Sequence, residues 1–148
     1  MTLSTLIVDD EPLALDLMER YVERTPFLRL AGKCSGGAEA LQVLAEQHID
    51  VAFMDIQMPG MNGLDLLKHI KILAPETEVI LISGHADLEM AIQGLKLEAS
   101  DFITKPIDDD LLHISLKRAL ERIAMRNKLK EYTSNLEKMI NEKSAQLV

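Results

Sequence analysis

Four short apolar segments of this chain each end on a side chain suited to phosphoryl or metal chemistry. They are Thr5–Val8 before Asp9 and Asp10, Val51–Met54 before Asp55, Val79–Ile82 before Ser83, and Phe102–Thr104 before Lys105 and Pro106. Carboxylates are preferred ligands of Mg²⁺, and an ammonium group or a hydroxyl can bind phosphoryl oxygens. The sequence therefore predicts a site for a divalent cation and a phosphoryl group, where the four segment ends meet.

The elements that position these side chains follow from the hydrophobic pattern. Apolar segments of strand length alternate with segments of helical period, which is typical of βαβ units and a parallel sheet. Strands are predicted at Thr5–Val8, Leu28–Cys34, Val51–Met54, Val79–Ile82 and Phe102–Thr104. The predicted fold class is α/β, a doubly wound sheet of five parallel strands with five helices. Open sheets of this kind bind ligands at the carboxyl ends of their strands.

The first four helices are expected to bury one apolar stripe each against the sheet. The predicted inward residues are Leu13, Leu17 and Val22, then Ala40, Leu41 and Leu44, then Leu64, Leu67, Ile70 and Leu73, and finally Leu88, Ala91, Ile92 and Leu95. The last three of these stripes follow the three- and four-residue spacing of an amphipathic helix, whereas in the first Val22 lies five residues after Leu17.

The fifth helix begins after Asp108, a plausible cap, and no proline or glycine follows to end it. It has two apolar stripes with coiled-coil spacing, one of Leu112, Leu116, Ala119 and Ile123 and one of Leu129, Tyr132, Leu136 and Met139. The step between the stripes is six residues rather than seven, so we expect the first to pack on the sheet and the second to face something else. We predict a domain over residues 1–122 and a coiled-coil linker over 123–148, which forms a homodimer and leads to an output domain after Val148.

Composition restricts the partners and the compartment. The chain has 148 residues, a net charge of −8 and one cysteine, Cys34. A chain of this length is expected to form one hydrophobic core. Its negative net charge disfavours direct binding to nucleic acid. A single cysteine excludes an internal disulfide and favours a cytoplasmic location. No apolar segment approaches the roughly 20 residues that span a bilayer, so no membrane association is expected.

The motifs resemble those of the receiver domain of bacterial two-component response regulators. They are Val8-Asp9-Asp10-Glu11, Met54-Asp55 with Pro59 four and Gly63 eight residues after the aspartate, Ile82-Ser83-Gly84-His85, and Asp101–Pro106. The resemblance covers residues 3 to 122 and implies a flavodoxin-like fold, as in chemotaxis receivers. It also implies that Asp55 accepts a phosphoryl group from a sensor histidine kinase or a phosphotransfer protein, and that the resulting change controls an output domain.

The resemblance implies a role for each motif residue. Mg²⁺ would be held by Asp9 or Asp10, mainly Asp10, together with Asp55 and the backbone carbonyl of Gln57. Ser83 and Lys105 would contact the phosphoryl oxygens, Ser83 and Phe102 would act as the switch, Lys105–Pro106 would be a cis peptide, and Gln57 and His85 would tune the phosphoryl lifetime.

Two other classes of protein use similar features. A haloacid-dehalogenase-like phosphatase has a second aspartate two residues after the nucleophile, where this chain has Gln57. A flavodoxin-like electron carrier needs a phosphate loop rich in glycine and hydroxyl groups after the first strand, where this chain has the acidic Asp9–Pro12. We therefore expect no enzymatic turnover beyond Mg²⁺-dependent self-phosphorylation and autodephosphorylation.

One departure from the family pattern lies near the end of the fourth helix. Glu98 occupies a position where the family commonly has glycine. Either Glu98 adopts a left-handed backbone at an energetic cost, or the helix ends in another way.

Overall fold

The computed structural model describes residues 2–84 and 87–146. In these residues strands and helices alternate in the order β1 (Leu3–Val8), α1 (Pro12–Arg24), β2 (Leu28–Cys34), α2 (Gly37–Glu46), β3 (Val51–Asp55), α3 (Gly63–Leu73), β4 (Glu78–Ser83), α4 (Leu88–Lys96), β5 (Asp101–Thr104) and α5 (Asp109–Gln146). All paired strands are parallel, in the order β2-β1-β3-β4-β5. The predicted doubly wound α/β fold is confirmed.

Three of the helices begin at residues that remove or satisfy a free backbone N–H group. Pro12 opens α1, where a proline costs no hydrogen bond. The side chain of Asn62 caps α3 by accepting a hydrogen bond from the Asp65 N–H at 2.9 Å. Asp108 caps α5 as predicted, because its Oδ1 accepts a hydrogen bond from the Asp110 N–H at 2.8 Å.

The core forms two layers, one on each face of the sheet. Alternate side chains of a strand point to opposite faces, so each central strand contributes to both layers. On β3, Ala52 and Met54 pack on the side of α2, α3 and α4, whereas Val51 and Phe53 pack on the side of α1 and α5. Packing on both faces leaves the strand ends as the places where these strands can present functional side chains.

Several predicted inward residues of the helices are exposed instead. These are Leu13, Leu17, Leu73, Leu88, Ile92 and Leu95. On α1 a wider apolar stripe competes with the predicted one and is buried, consisting of Ala14, Leu15, Met18, Tyr21 and Val22. On α4 the small residues Ala91 and Gly94 face the sheet, and a side chain at Gly94 would overlap that of Leu81. Close approach through this small face turns the leucines and the isoleucine of α4 outward.

The long helix α5 has two apolar stripes on different faces. Leu112, Leu116, Ala119 and Ile123 are buried on the sheet, as predicted, whereas Leu129, Tyr132, Leu136 and Met139 are exposed. The six-residue step from Ile123 to Leu129 rotates the second stripe by about 120° around the helix. We call residues 124–146 the tail; its pairing as a coiled coil stays a prediction, as does the boundary at residue 122.

The end of α4 decides the question raised by Glu98. Its φ is +73°, so the first alternative holds and a non-glycine residue occupies the left-handed region. The Glu98 N–H donates to the Leu95 carbonyl at 3.1 Å, and the Ala99 N–H donates to the Gly94 carbonyl at 3.0 Å. This is the hydrogen-bond pattern of a Schellman motif.

No helix among the described residues is both long enough and apolar enough to cross a membrane.

Candidate phosphoacceptor and metal site

The strand register brings the predicted site residues to one edge of the sheet. Asp55 ends β3, Ser83 ends β4, Asp9 follows β1 and Lys105 follows β5. Asp55 is paired with Ile82 on β4, and Ser83 is paired with Thr104 on β5. The functional groups therefore lie at the carboxyl edge, where open α/β sheets bind ligands.

Asp55 is almost completely buried, with 3% of the residue exposed. Its Oδ1 accepts a hydrogen bond from the Gln57 N–H at 3.1 Å, and its Oδ2 lies 3.3 Å from Lys105 Nζ. The two interactions orient the carboxylate between the loop after β3 and the ammonium group at the end of β5.

Asp9 is fully buried beside this pair. Its Oδ1 accepts a hydrogen bond from the Glu11 N–H at 2.9 Å. Its Oδ2 lies 3.6 Å from Lys105 Nζ and has no hydrogen-bond partner among the described residues. A buried carboxylate oxygen without a partner is costly, and a cation would satisfy it.

Three carboxylates are close enough to bind one metal ion. Oxygen atoms of Asp9, Glu11 and Asp55 all lie within 4.8 Å of one another. Oxygen ligands of this charge suit Mg²⁺, which normally keeps several waters in its shell. The residues therefore fit the metal that the sequence motifs imply.

The structure places the two predicted acids after β1 differently. Asp10 is exposed and does not belong to the group of carboxylates found among the described residues. Its part as the main metal ligand stays a prediction. Glu11 was not expected as a ligand, and the available signal was only its position directly after Asp9 and Asp10. Its carboxylate lies 3.6 Å from Lys105 Nζ.

The close carboxylates alter the proton affinities at the site. Burial, and next the charge of Asp9, raise the pKa of Asp55 to about 6. Burial also raises the pKa of Asp9, against the opposing effects of the Glu11 N–H and Lys105. Partial burial disfavours the charged form of Lys105, but Asp55 and Asp9 outweigh this effect and its pKa is raised. Lys105 is therefore a permanent cation at neutral pH, and the metal-free carboxylates repel one another.

The predicted switch residues lie on the neighbouring strands. Ser83 is fully buried, and its Oγ has no hydrogen-bond partner among the described residues. Phe102 is half-buried against the core layer beneath α2, α3 and α4. The Lys105–Pro106 peptide is cis.

Gln57 connects the loop after β3 to the start of α4. Its Nε2 donates a hydrogen bond to Asp87 Oδ1 at 2.8 Å, while Asp87 Oδ2 accepts one from the Gly84 N–H at 3.3 Å. The side chain of Gln57 thus lies near the site but is hydrogen-bonded to Asp87 rather than to Asp55. His85, the other residue predicted to tune the phosphoryl lifetime, lies outside the described residues.

Gly63 shapes the loop beside Asp55. The Gly63 N–H donates to the Ile56 carbonyl at 2.6 Å, and a Cβ at this position would lie 2.5 Å from Ile56 Cα and 2.9 Å from the Asp55 carbonyl oxygen. Any side chain here would push the loop away from α3. The glycine eight residues after Asp55 therefore has a steric role in the site.

The strand order is that of the flavodoxin-like fold. With buried carboxylates beside a lysine at its carboxyl edge, this is the fold of a receiver domain. The sequence-family model of the response regulator receiver domain matches residues 5–117 of this chain. The chain therefore belongs to that family. The chain is 34% identical to the transcriptional regulatory protein MalR of Bacillus subtilis over 114 residues, which are 77% of this chain and 48% of MalR. It is 37% identical to the nitrogen assimilation regulatory protein NtrX of Azorhizobium caulinodans over 128 residues, which are 85% of this chain and 28% of NtrX.

The solved structures give the same result. A response regulator receiver domain protein from Clostridium thermocellum superimposes with a TM-score of 0.77 at 30% identity, over 83% of this chain and 98% of that one. The chain thus matches a whole receiver domain, but it spans about half or less of the length of these two curated relatives.

Proposed function

We propose that Asp55 is the phosphoacceptor of a Mg²⁺-dependent response regulator, and that its phosphoryl donor is a phosphohistidine on a sensor kinase or a phosphotransfer protein. The observation that carries this proposal is the position of Lys105 Nζ, 3.3 Å from Asp55 Oδ2 and 3.6 Å from the unpartnered Asp9 Oδ2. The Lys105 ammonium group, together with a divalent cation held by the acids, can offset the negative charge of a phosphoryl group as it approaches the nucleophile.

The reaction is a phosphoryl transfer. An oxygen of Asp55 attacks the phosphorus and forms a P–O bond while the P–N bond to the donor imidazole breaks, and the nitrogen keeps the electron pair of that bond. When bound by Asp9, Asp55 and a third ligand, Mg²⁺ would offset the charges of the carboxylates and of the phosphoryl oxygens. Lys105 contributes a further positive charge for those oxygens. The Gln57 N–H, which is bonded to Asp55 Oδ1, holds the nucleophile in orientation.

Phosphorylation of the protein tests the assignment. Incubation with acetyl phosphate and Mg²⁺ should add the mass of one phosphoryl group to the intact chain, and Asp55→Asn should abolish the addition. Asp65→Asn is a matched control, because Asp65 is an exposed acid on α3. Undiminished labelling of Asp55→Asn would overturn the assignment.

A second part of the proposal concerns the response. The buried Ser83 hydroxyl is without a described partner and can turn to bind a phosphoryl oxygen, which would leave space for Phe102 to turn inward. These residues flank α4, whose outer face carries the exposed Leu88, Ile92 and Leu95. The switch would thus alter the outer face of α4, whose apolar side chains are suited to binding a partner protein.

A hydrolytic enzyme is the less favoured alternative. Gln57 stands two residues after Asp55, where a haloacid-dehalogenase-like phosphatase has its acid/base carboxylate, and an amide cannot transfer a proton in that role. We propose that the chain carries out only its own phosphorylation and dephosphorylation. Sustained Mg²⁺-dependent hydrolysis of p-nitrophenyl phosphate would favour the phosphatase.

The tail supports a proposal about assembly. Met125 extends the exposed stripe, so that Met125, Leu129, Tyr132, Leu136 and Met139 follow one another in steps of four and three residues. We call this set the tail seam. A lone helix is marginally stable in water, and a parallel two-stranded coil would bury the seam. We propose a homodimer through residues 123–148, which lead to an output domain. This agrees with the greater length of MalR and NtrX.

A further inference from the structure

A buried carboxylate lies at the amino edge of the sheet, opposite the phosphoacceptor edge. Glu78 is the first residue of β4, and its side chain is fully buried. It accepts a hydrogen bond from Ser100 Oγ and one from an Nη2 proton of Arg126, and Arg122 Nε lies 3.0 Å from its Oε2. Two guanidinium groups from consecutive turns of α5 thus hold one carboxylate.

The same face of α5 continues these contacts in both directions. Arg118 Nη1 lies 2.9 Å from Asp101 Oδ2, one turn before Arg122. Arg126 Nη1 donates to the Glu76 carbonyl at 2.7 Å, and Lys130 forms an ion pair with the Glu76 carboxylate. We call Arg118, Arg122, Arg126 and Lys130 the basic ladder. Its members recur every four residues, as side chains on one helical face do.

The basic ladder holds α5 to the sheet beyond the last apolar contact. Ile123 is the last buried apolar residue of the helix among those whose side chains the structure describes, whereas Arg126 and Lys130 lie one and two turns further on. Arg126 contacts both a backbone carbonyl and a buried carboxylate, and these fix its guanidinium plane. A buried charge persists only where it is paired, so this geometry resists rearrangement.

The ladder is attached to the strands that carry the site. β4 runs from Glu78 to Ser83, and β5 runs from Asp101 to Thr104, directly before Lys105. The two ends of β4 are roughly 16 Å apart. The residues that bind α5 and the residues of the phosphoacceptor edge thus lie on the same two strands.

We propose that the basic ladder positions the tail: it joins residues 124–130 to the receiver as one rigid unit and fixes the direction in which the tail seam leaves it. The rigid unit that contains the receiver then ends near Lys130, and only the helix beyond it is free to bend relative to the receiver. This inference does not depend on which residue is phosphorylated.

Distance measurements between spin labels test the proposal. Labels at Lys68→Cys on α3 and Asn135→Cys on the tail, in a Cys34→Ala background diluted with unlabelled chain, report the direction of the tail in the full chain. The native ladder should give one narrow distance distribution. Lys130→Glu should make it about twofold wider, because the last turn before the free helix is released. Lys128→Gln, an exposed control outside the ladder, should leave it unchanged.

A charge swap makes the test independent of folding. Lys130 and Glu76 are both partly exposed, so Lys130→Glu combined with Glu76→Lys restores the ion pair without disturbing the core. The double variant should recover the narrow distribution. Arg122→Gln with Arg126→Gln should broaden it further and raise the hydrogen exchange of residues 124–130 about tenfold.

Two results would overturn the proposal. One is an unchanged distribution in both Lys130→Glu and the arginine double variant, and the other is broadening that the charge swap does not reverse. Labelling at Asp55 is measured in the same samples. Absence of a phosphoryl group on Asp55 in the native-ladder sample, together with a narrow distance distribution, would count against the phosphoacceptor assignment and leave the ladder proposal unaffected.

Discussion

Lys105 Nζ lies 3.3 Å from Asp55 Oδ2, so an ammonium group contacts the carboxylate proposed as the nucleophile. The same nitrogen is 3.6 Å from Asp9 Oδ2 and 3.6 Å from Glu11 Oε1. One cation is thus shared among three acids, two of them buried. This sharing offsets part of the carboxylate repulsion in the metal-free protein and leaves oxygen atoms available to a metal ion.

Removal of the Lys105 ammonium group should slow phosphoryl transfer to Asp55. Lys105→Gln keeps most of the side-chain volume but lacks the charge that stabilises developing negative oxygens, so the labelling rate with acetyl phosphate and Mg²⁺ should fall roughly 100-fold. Intact-mass time courses measure it, with Lys128→Gln as the control. An unchanged rate in Lys105→Gln would mean that the phosphoryl group does not bind beside Lys105.

The stability of the metal-free protein should fall as the pH rises from about 4 to about 7. The pKa of Asp55 is raised from 3.8 to about 6, so the folded chain binds this proton more tightly than the unfolded chain does. The stabilisation is present below the unfolded pKa and is lost through the folded one, and it amounts to roughly 3 kcal/mol.

Urea unfolding of the wild type and of Asp55→Asn, without metal, isolates this contribution. The stability advantage of the variant should grow between pH 4 and pH 7, and Mg²⁺ should reduce it at pH 7 by stabilising the wild type. A difference that does not change with pH would show that folding does not raise the pKa of Asp55.

Binding of a phosphoryl group or its mimic at Asp55 should change the conformation of α4 and β5. Beryllium fluoride with Mg²⁺ mimics a phosphoryl group on a carboxylate, and binding should draw Ser83 toward it and release space for Phe102. Amide chemical shift changes should then cluster in Leu88–Leu97 and Asp101–Lys105. Ser83→Ala should retain changes next to Asp55 but lose those on α4. Changes confined to the neighbours of Asp55 in the wild type would argue against a switch.

A glycine should stabilise the end of α4. Glu98 has a φ of +73°, a conformation that costs a residue with a Cβ about 1 kcal/mol. Glu98→Gly should therefore raise the free energy of unfolding by about 1 kcal/mol, less the entropy that glycine regains in the unfolded chain. Glu98→Ala retains the Cβ and is the matched control in chemical denaturation. Equal stabilities of the glycine and alanine variants would show that the relief of backbone strain does not exceed the entropy that glycine regains in the unfolded chain.

The tail seam should determine the oligomeric state. Leu129→Lys with Leu136→Lys places like charges across a paired seam, so light scattering should show a monomer where the wild type is a dimer at micromolar concentration. Lys138→Gln is an exposed change outside the seam and should keep the dimer. A monomeric wild type would instead leave the seam for another partner.

The sequence was sufficient to predict features that depend on near neighbours along the chain. Alternating apolar segments predicted all five strands, and the polar residue at the end of each segment predicted Asp55, Ser83 and Lys105 at one edge. This succeeds because a parallel sheet brings the carboxyl ends of its strands together whatever the detailed packing. The buried stripe of α5 was predictable for a different reason, because Leu112, Leu116, Ala119 and Ile123 follow one another in steps of four and three residues along one face of the helix.

The tertiary structure decided what depends on groups that are distant in the sequence. α4 packs through Gly94 against Leu81, so the small face rather than the leucine face is buried, and hydrophobicity alone favours the opposite choice. Among the described residues, Glu11 rather than Asp10 lies with Asp9 and Asp55 in the group of carboxylates, and the Glu11 N–H donates a hydrogen bond to Asp9 Oδ1. The pairing of Glu78 with Arg126 joins residues 48 positions apart. Periodicity describes one element at a time, whereas these contacts depend on the shape and charge of the element packed against it.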